Sequence, residues 1–346
     1  MDPNTKPFLD QILDQSGHTK LVENTHINFV DNSGRRQGNM GVGYGANKKK
    51  IGPELTFSIY MQKHLGQQML IIKCAWGGKS LHTDFRPPSA GPFEFEQSVL
   101  DRLKSQGKDI DEVLAKRKKA TGVFYKKTVD HINAVLSDID STVIGYDESR
   151  GYELAGMVWF QGWNDMVDQG VYPNRGQAGG YDDYSDVLRH FIRDIRKDLN
   201  APNLPFVIGV MGVGGPTDKY GPEKMRSKKI HQNFRDAMIA PSMDDEFKGN
   251  VATVLTEECW DLELDAAVEK NNRIKGEIKK LQKEGKLDQS EWKLAFEKKR
   301  SKELTPRELE ILKIGVSNQA YHYLGSAKIM TQIGKRFADA LISLEK

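Results

Sequence analysis

Residues 157–165 join a strand-forming run to polar side chains suited to acyl chemistry. Four apolar residues, 157–160, lead directly into Gln-Gly-Trp-Asn-Asp at 161–165. A strand that ends in a glycine turn places the next polar side chains at the carboxyl edge of a sheet, where open α/β folds bind ligands. Asn164 is then a neutral donor that could stabilise an oxyanion. The alternative is a turn in which Asn164 and Asp165 only cap the following segment.

His322 is the histidine best placed to act as a general base. It lies in Ala-Tyr-His-Tyr-Leu-Gly at 320–325, just before the last amphipathic stretch. A loop side chain can turn toward the catalytic edge of a sheet and take a proton there. The alternative is a structural histidine between two tyrosines, and His82 and His231 are weaker candidates for chemistry. Five other histidines have no acid or metal ligand at a sequence spacing typical of a functional site: His18, His26, His64, His131 and His190.

Three glycine-rich segments do not fit cofactor motifs. Residues 78–80, Gly-Lys-Ser, look like the end of a phosphate loop, but Lys73 occupies the position where that motif needs glycine. Residues 41–45 and 209–215 lack dinucleotide-binding spacing, and plain turns explain them better. We therefore expect no cofactor.

Composition excludes several classes of function. The 346 residues include 51 Lys and Arg against 48 Asp and Glu, for a net charge of +3, so nucleic acid is not expected as a partner. Cys74 and Cys259 lie far apart, so buried free thiols are expected rather than a disulfide framework, and no metal-binding spacing occurs. No apolar run approaches membrane length, and the first twenty residues do not look like a signal peptide.

Apolar periodicity predicts strands that alternate with helices. Such alternation is typical of a parallel sheet with helices on both faces. Predicted strands are residues 69–75, 157–160, 206–213 and 251–255, and predicted helices are 53–65, 110–138, 184–199 and 325–344. We expect a single domain over 1–346, with an irregular N-terminal segment at 1–37. Residues 261–310 are rich in Lys and Glu and predict a charged helical hairpin that turns near 284–286.

Three blocks in order resemble the sialate O-acetylesterase-like SGNH hydrolases. Residues 75–81 (AWGGKSL) with 84–89 (DFRPPS) resemble the second block of that family. Residues 159–165 (WFQGWND) are similar to the third block, and 321–325 (YHYLG) to the histidine block. Residues 52–55 also match, and the resemblance runs from about Gly38 to the C-terminus, apart from the charged hairpin. It implies a flavodoxin-like three-layer α/β/α fold.

The resemblance also implies an activity and a site. Such enzymes remove acetyl groups from carbohydrates through a serine ester. By resemblance, Gly77 or Gly78 and Asn164 complete the oxyanion hole, and His322 activates the serine. Gln161, Arg86 and Trp76 are the expected substrate-binding residues, although a structural role for Arg86 fits equally well. An acetylated carbohydrate is the expected partner, in a secreted or periplasmic setting.

Two departures from the family pattern concern catalysis. The family begins with an apolar strand that ends in Gly-Gln-Ser-Asn-Met or Gly-Asp-Ser. Ser16 follows a predicted helix, residues 37–40 (QGNM) lack the serine, and Ser80 belongs to the second block itself. The acid that should orient the histidine lies three residues earlier in the family, where this chain has Gln319. Asp165 is a candidate for that acid, or His322 works without one.

Two explanations for the absent serine block remain open. Either the first strand lies upstream of Met1, so that this chain is inactive by itself, or the chain is a non-catalytic relative that binds sugar. We favour the first explanation, because losing a central strand leaves many buried backbone groups unpaired, each at about 1–3 kcal/mol. A third hypothesis, a module that binds a nucleotide or a protein partner, would need a phosphate loop or a large apolar patch.

Overall fold

The computed structural model describes residues 6–345, which form an α/β protein with two three-stranded sheets. The strands are β1 (Thr25–Asp31), β2 (Gly34–Asn39), β3 (Met69–Cys74), β4 (Met157–Trp159), β5 (Phe206–Val210) and β6 (Val251–Leu255). The helices are α1 (Lys6–Leu9), α2 (Glu54–Leu65), α3 (Gln97–Ser105), α4 (Ile110–Ala120), α5 (Val123–Leu136), α6 (Trp163–Val167), α7 (Asp182–Asp198), α8 (Met225–Ile239), α9 (Leu262–Lys283), α10 (Trp292–Glu303), α11 (Pro306–Gly315) and α12 (Ala327–Leu344).

The sheet is divided between β3 and β4. One half has the order β2-β1-β3, in which β1 is antiparallel to β2 and parallel to β3. The other half, β4-β5-β6, is parallel throughout. Within residues 6–345, no strand pairs with the remaining edge of β3 or of β4. The predicted α/β class is confirmed, and the gap between β3 and β4 agrees with the predicted lack of a central strand. Two corrections are needed: the sheet is split, and it includes an antiparallel pair.

Helices cover both faces of the half-sheet β4-β5-β6. Phe206 of β5 contacts Phe191 of α7, with ring centroids 6.4 Å apart. Gly209 lies three residues further along β5. A Cβ atom added to Gly209 would lie 2.7 Å from the Phe337 ring of α12. Because successive strand residues point to opposite faces, α7 and α12 lie on opposite sides. This arrangement is the three-layer order that the sequence predicts.

The buried apolar side chains form two separate clusters. The larger cluster surrounds β5 and includes residues of α7, α8 and α12. The smaller one lies beside β1 and α2 and includes Ile27, Phe29 and Leu55. The larger cluster also includes Met61 of α2, and Met69 of β3 packs against it, so the larger cluster extends across the gap in the sheet. That the chain is one domain stays a prediction.

Several predicted elements have different limits in the structure. The N-terminal segment is not irregular throughout, because β1 and β2 form there. The single helix predicted over 110–138 is two helices, α4 and α5, separated at Gly122, whose φ of 73° lies in the left-handed region that favours glycine. Asp109 begins α4 by accepting a hydrogen bond from the Glu112 amide.

The charged hairpin predicted over residues 261–310 is helical, as expected. Helices α9 and α10 pack against each other across a turn at residues 284–291. A further helix, α11, follows and begins with a capping box between Thr305 and Glu308. No helix among residues 6–345 has the length and apolar character needed to cross a lipid bilayer.

Helices α2 and α12 pack closely across a glycine and join the two halves of the protein. A Cβ atom at Gly334 of α12 would lie 2.1 Å from the carbonyl oxygen of Pro53 and 2.2 Å from the Thr56 hydroxyl oxygen. Gly276, in the middle of α9, has no atom within 4 Å of the corresponding position. Gly334 is therefore tightly packed, whereas Gly276 faces open space.

We predict that Gly334→Ala lowers the free energy of unfolding by about 1–3 kcal/mol, because the added methyl group overpacks the α2–α12 contact. The matched variant Gly276→Ala should raise it by about 0.5–1 kcal/mol through helix propensity. Urea unfolding of both variants measures the difference. Equal stabilities of the two variants would contradict the close contact.

Candidate active site

The loops that follow β3 and β4 meet at one rim, which we define as residues 75–81, 160–165 and 320–325. The carbonyl oxygen of Lys79 accepts hydrogen bonds from the Gln161 side-chain amide at 3.0 Å and from Asn164 Nδ2 at 3.1 Å. These two bonds connect the half-sheets, since Lys79 follows β3 and the two amides follow β4. The second and third sequence blocks are therefore neighbours in space.

The buried side chain of Asp165 also connects the loops that follow β3 and β4. Its carboxylate is fully buried and accepts hydrogen bonds from the backbone amides of Leu81 at 2.8 Å and His82 at 3.0 Å. It also accepts one from Gln161 Nε2 at 2.6 Å. Burial raises the pKa of Asp165 to about 6, although the hydrogen bonds from Gln161, His82 and Leu81 oppose that shift. Asp165 is thus a positioning residue for both loops, and it does not hydrogen-bond His322.

Hydrogen-bond donors at the rim are free to take a ligand. The backbone amides of Gly77 and Gly78 have no partner among residues 6–345, and both residues are exposed. Gly78 has a φ of 74°, and nothing lies within 4 Å of the place a Cβ would take. Asn164 Nδ2 carries two hydrogens, of which Lys79 uses one. Two kinds of neutral donor therefore meet at the rim.

A strained turn carries His322 to the same rim. Tyr323 and Leu324, which follow it, have φ values of 52° and 59°, a conformation that costs non-glycine residues about 1–3 kcal/mol each. The buried Tyr323 hydroxyl holds the turn by bonding Thr256 Oγ1 at 2.7 Å and the Gly212 amide at 2.9 Å. The sequence motif shows the tyrosine but not this anchoring.

His322 itself is exposed and lies beside the third block. The neighbouring Tyr321 ring packs against Trp163, with centroids 5.5 Å apart. Among residues 6–345, no side chain hydrogen-bonds the His322 imidazole, so no acid orients it there. Gln319 contacts His322 through its backbone carbonyl, which accepts the His322 amide at 2.9 Å. Partial desolvation lowers the pKa of His322, so its imidazole is neutral and able to accept a proton at neutral pH.

One cavity of about 2110 Å³ contains most of the predicted site. Site residues that line it are Trp76, Gly77, Gly78, Gln161, Asn164 and His322. Trp76 packs against Phe124, with ring centroids 5.1 Å apart. Both hydrogens of Gln161 Nε2 are committed, to Lys79 and Asp165, so this side chain organises the loops.

Arg86 does not take the substrate-binding position that the sequence suggested. Its side chain is 6% exposed and donates to the carbonyl oxygens of His82, Ala90 and Gly91. It is absent from the cavity lining. The structural alternative that we considered for this residue therefore fits better, because a guanidinium closed in by three carbonyl groups has no face left for a sugar.

Serines near the cavity are engaged elsewhere. Within residues 6–345, the serines that line it are Ser33 and Ser317. Ser33 Oγ bonds Asp31, and Ser317 Oγ donates to the Gly325 carbonyl at 2.7 Å. Ser80 Oγ, just outside the lining, bonds Asp84 at 3.2 Å. None of them pairs with His322.

Asp165→Ala should lower the free energy of unfolding at pH 7 by about 2–4 kcal/mol, because the amides of Leu81 and His82 lose their buried acceptor. Asp140→Ala is the matched control: Asp140 is exposed, so its removal should change stability by no more than about 0.5 kcal/mol. Chemical denaturation measures both. A loss no larger than that of the control would contradict the positioning role.

The same carboxyl group predicts a pH dependence. The folded protein binds the Asp165 proton more tightly than the unfolded chain does, because its pKa is about 6 against an ordinary value of 3.8. That contribution is complete below about pH 4 and is lost as the pH rises through 6. The stability difference between wild type and Asp165→Ala should therefore shrink between pH 4.5 and 7.5. A difference independent of pH would argue against a buried, titrating Asp165.

Comparisons with known proteins agree with the motifs. A family model described as SASA, carbohydrate esterase, sialic acid-specific acetylesterase, matches residues 38–250, more than half of the chain. That range includes Gly77, Gly78 and Asn164 but ends before His322. No curated protein matches the chain.

Two solved structures are similar over part of the chain. A protein from Arabidopsis thaliana is 16% identical, with a TM-score of 0.36, and the match covers 66% of this chain and 68% of that one. A structure described as a novel carbohydrate acetylesterase from Xanthomonas citri is 12% identical, with a TM-score of 0.37. That match covers 69% of this chain and 44% of the Xanthomonas protein, so this chain spans less than half of it.

Proposed function

Because the chain belongs to the sialic acid-specific acetylesterase family of carbohydrate esterases, we propose that its rim is the oxyanion-binding and proton-transfer part of a site that removes acetyl groups from sugars. The observation that carries this proposal is the shared cavity: Gly78, Asn164 and His322 come from distant segments and line the same space. The attacking serine is absent from that arrangement within residues 6–345. We propose that a segment outside them supplies it.

The proposed chemistry is acyl transfer in two steps. His322 takes the proton of the serine hydroxyl as the oxygen attacks the acetyl carbonyl, and the negative charge on the carbonyl oxygen is stabilised by the Gly78 amide and Asn164 Nδ2. His322 then returns the proton to the sugar oxygen, which leaves as an alcohol. Water, activated by the same imidazole, hydrolyses the acetyl-serine to acetate and free serine.

Aromatic rings give the rim a surface suited to a carbohydrate. Trp76, Trp163 and Tyr321 all line the cavity, and the rings of Trp163 and Tyr321 pack against each other. Flat apolar faces beside polar donors are the usual composition of a small-molecule site. We propose that these rings contact the sugar while the acetyl group faces Asn164. On the family relationship alone we also propose a secreted or periplasmic location, which cell fractionation would test.

A second candidate function is sugar binding without hydrolysis. It is favoured by one observation: no serine among residues 6–345 hydrogen-bonds His322. In that case the 346-residue chain would bind acetylated sugars and never release acetate. The two functions differ in whether acetate is released once a serine nucleophile is supplied.

The decisive measurement is acetate release from O-acetylated sialic acid by the 346-residue chain and by a chain extended with an apolar strand that ends in Gly-Gln-Ser-Asn. We expect release by the extended protein alone. There, Asn164→Ala should lower kcat by roughly 10²–10³-fold through loss of an oxyanion donor. His322→Ala should lower it by roughly 10²–10⁴-fold through loss of the general base.

The control variant is His190→Ala. His190 Nδ1 lies 2.7 Å from Ser89 Oγ, a serine–histidine pair away from the rim, and removing it should leave kcat unchanged. Activity that depends on His190 and not on His322 would refute our assignment. Binding without acetate release in either protein would favour the second function.

A further inference from the structure

One lysine of the cavity, Lys50, has no acidic partner among residues 6–345. Two other lysines that line the cavity near the rim are paired: Lys73 Nζ lies 2.9 Å from a Glu54 carboxylate oxygen, and Lys79 Nζ lies 3.1 Å from one of Asp84. Lys50 also lines the cavity, and its ammonium group contacts only a backbone carbonyl oxygen. Its positive charge is therefore uncompensated within the described chain.

The glycine-rich segment 41–45 fixes the backbone of Lys50. The Lys50 carbonyl oxygen accepts hydrogen bonds from the amides of Gly43 and Gly45, at 3.1 Å each. A Cβ atom at Gly45 would lie 2.6 Å from the carbonyl oxygen of Ile51, so the segment needs glycine to pack this closely. The segment is the turn that the sequence predicts, and it holds Lys50 at the wall of the cavity.

The Lys50 side chain reaches the turn that carries His322. Its Nζ lies 3.4 Å from the carbonyl oxygen of Ser317. Ser317 belongs to that turn, because its amide bonds the Leu324 carbonyl oxygen at 2.8 Å. A contact of 3.4 Å is long for a hydrogen bond, and an ammonium group carries three hydrogens. Most of the donor capacity of Lys50 is therefore unused.

Two aromatic rings connect this turn with the proposed oxyanion donor. The Tyr321 ring packs against that of Trp163, with centroids 5.5 Å apart, and Trp163 precedes Asn164 in the chain. All three residues line the same cavity as Lys50. A sugar that lies along these rings with its acetyl group at Asn164 would therefore have Lys50 near another of its substituents.

We propose that Lys50 determines the charge of the substrate: its ammonium group pairs with a carboxylate on the sugar that carries the acetyl ester. This inference rests on the proposed function. Lys50 lies outside the three sequence blocks, and no motif identifies it. One uncompensated lysine matches one negative charge. A phosphate monoester carries nearly two negative charges at neutral pH, so a carboxylate fits Lys50 better.

A lysine beside a carbonyl oxygen can also serve only to hold a turn. If Lys50 only held Ser317, its removal would weaken the binding of charged and neutral sugars equally. Charge recognition predicts a loss that is confined to the charged sugar. Two ligands that differ only in charge therefore distinguish the two roles.

The test uses the 346-residue chain with N-acetylneuraminic acid and its methyl ester, whose binding is measured by isothermal titration calorimetry. We expect the acid to bind about fivefold more tightly than the ester, the preference that one partly exposed ion pair provides. Lys50→Met should abolish that preference by weakening acid binding, with ester binding unchanged. Lys50→Arg keeps the charge and should keep the preference, and added salt should reduce it.

The matched control is Lys49→Met. Lys49 is exposed and absent from the cavity lining, and its removal changes the net charge by the same amount. It should leave the binding of both ligands unchanged. An equal loss of acid binding in Lys49→Met and Lys50→Met would indicate general electrostatic attraction and overturn the inference.

Two further outcomes would overturn it. Equal weakening of acid and ester binding by Lys50→Met would show that this lysine only holds the turn. The second is the absence of any preference for the acid in the unaltered chain, including no binding of either ligand.

Acetate release tests the proposed function separately. In the extended protein, Lys50→Met should lower kcat/KM for O-acetylated sialic acid about fivefold, mainly through KM, and leave that for its methyl ester unchanged. A Lys50-dependent preference without acetate release would keep the role of Lys50 and refute the esterase chemistry. Acetate release without a preference for the charged substrate would keep the esterase proposal and overturn the role of Lys50.

Discussion

The buried carboxylate of Asp165 is the interaction on which the arrangement of the site depends. The loop after β3 and the loop after β4 belong to different half-sheets, and no strand ladder connects them in the described chain. Asp165 accepts two backbone amides from the first loop while its own backbone belongs to the second. Desolvation opposes this charge, which is why its pKa is raised, and the hydrogen bonds keep it in place. Without that carboxylate, the backbone amides of the first loop would lose the acceptor that fixes them to the second loop.

The divided sheet has consequences for the whole protein. The smaller apolar cluster lies beside β1 and α2, whereas the larger one extends from β5 to Met61 of α2. The contact between α2 and α12 across Gly334 joins the two halves on one side. The second edges of β3 and β4 have no strand partner among residues 6–345, and both strands line the same cavity. The rim and the α2–α12 pair both connect the two halves, as does the bond from the Tyr125 hydroxyl to Asp198 at 2.7 Å, and the cavity lies between β3 and β4.

The site combines rigid backbone with unused hydrogen-bonding capacity. The turn at Tyr323 and Leu324 is strained, and the buried hydroxyl of Tyr323 compensates by anchoring it to Thr256 and Gly212. Among residues 6–345, the Gly78 amide and the His322 imidazole have no hydrogen-bond partner, and Asn164 Nδ2 has one hydrogen left after its bond to Lys79. Groups that are fixed in position yet unsatisfied are suited to stabilising charge that develops during a reaction.

The sequence by itself determined the local elements and the chemistry of the blocks. Periodicity predicted β6 and the helices α2, α7 and α12 to within a few residues, because helix, strand and turn preferences act over short distances. The motifs led us to propose Gly78, Asn164 and His322 as site residues. Only the tertiary structure decided that Arg86 is closed in by carbonyl groups, that Asp165 serves the loops rather than His322, and that the sheet is split. These outcomes depend on which distant backbone groups come within hydrogen-bonding distance, and a linear pattern does not contain that information.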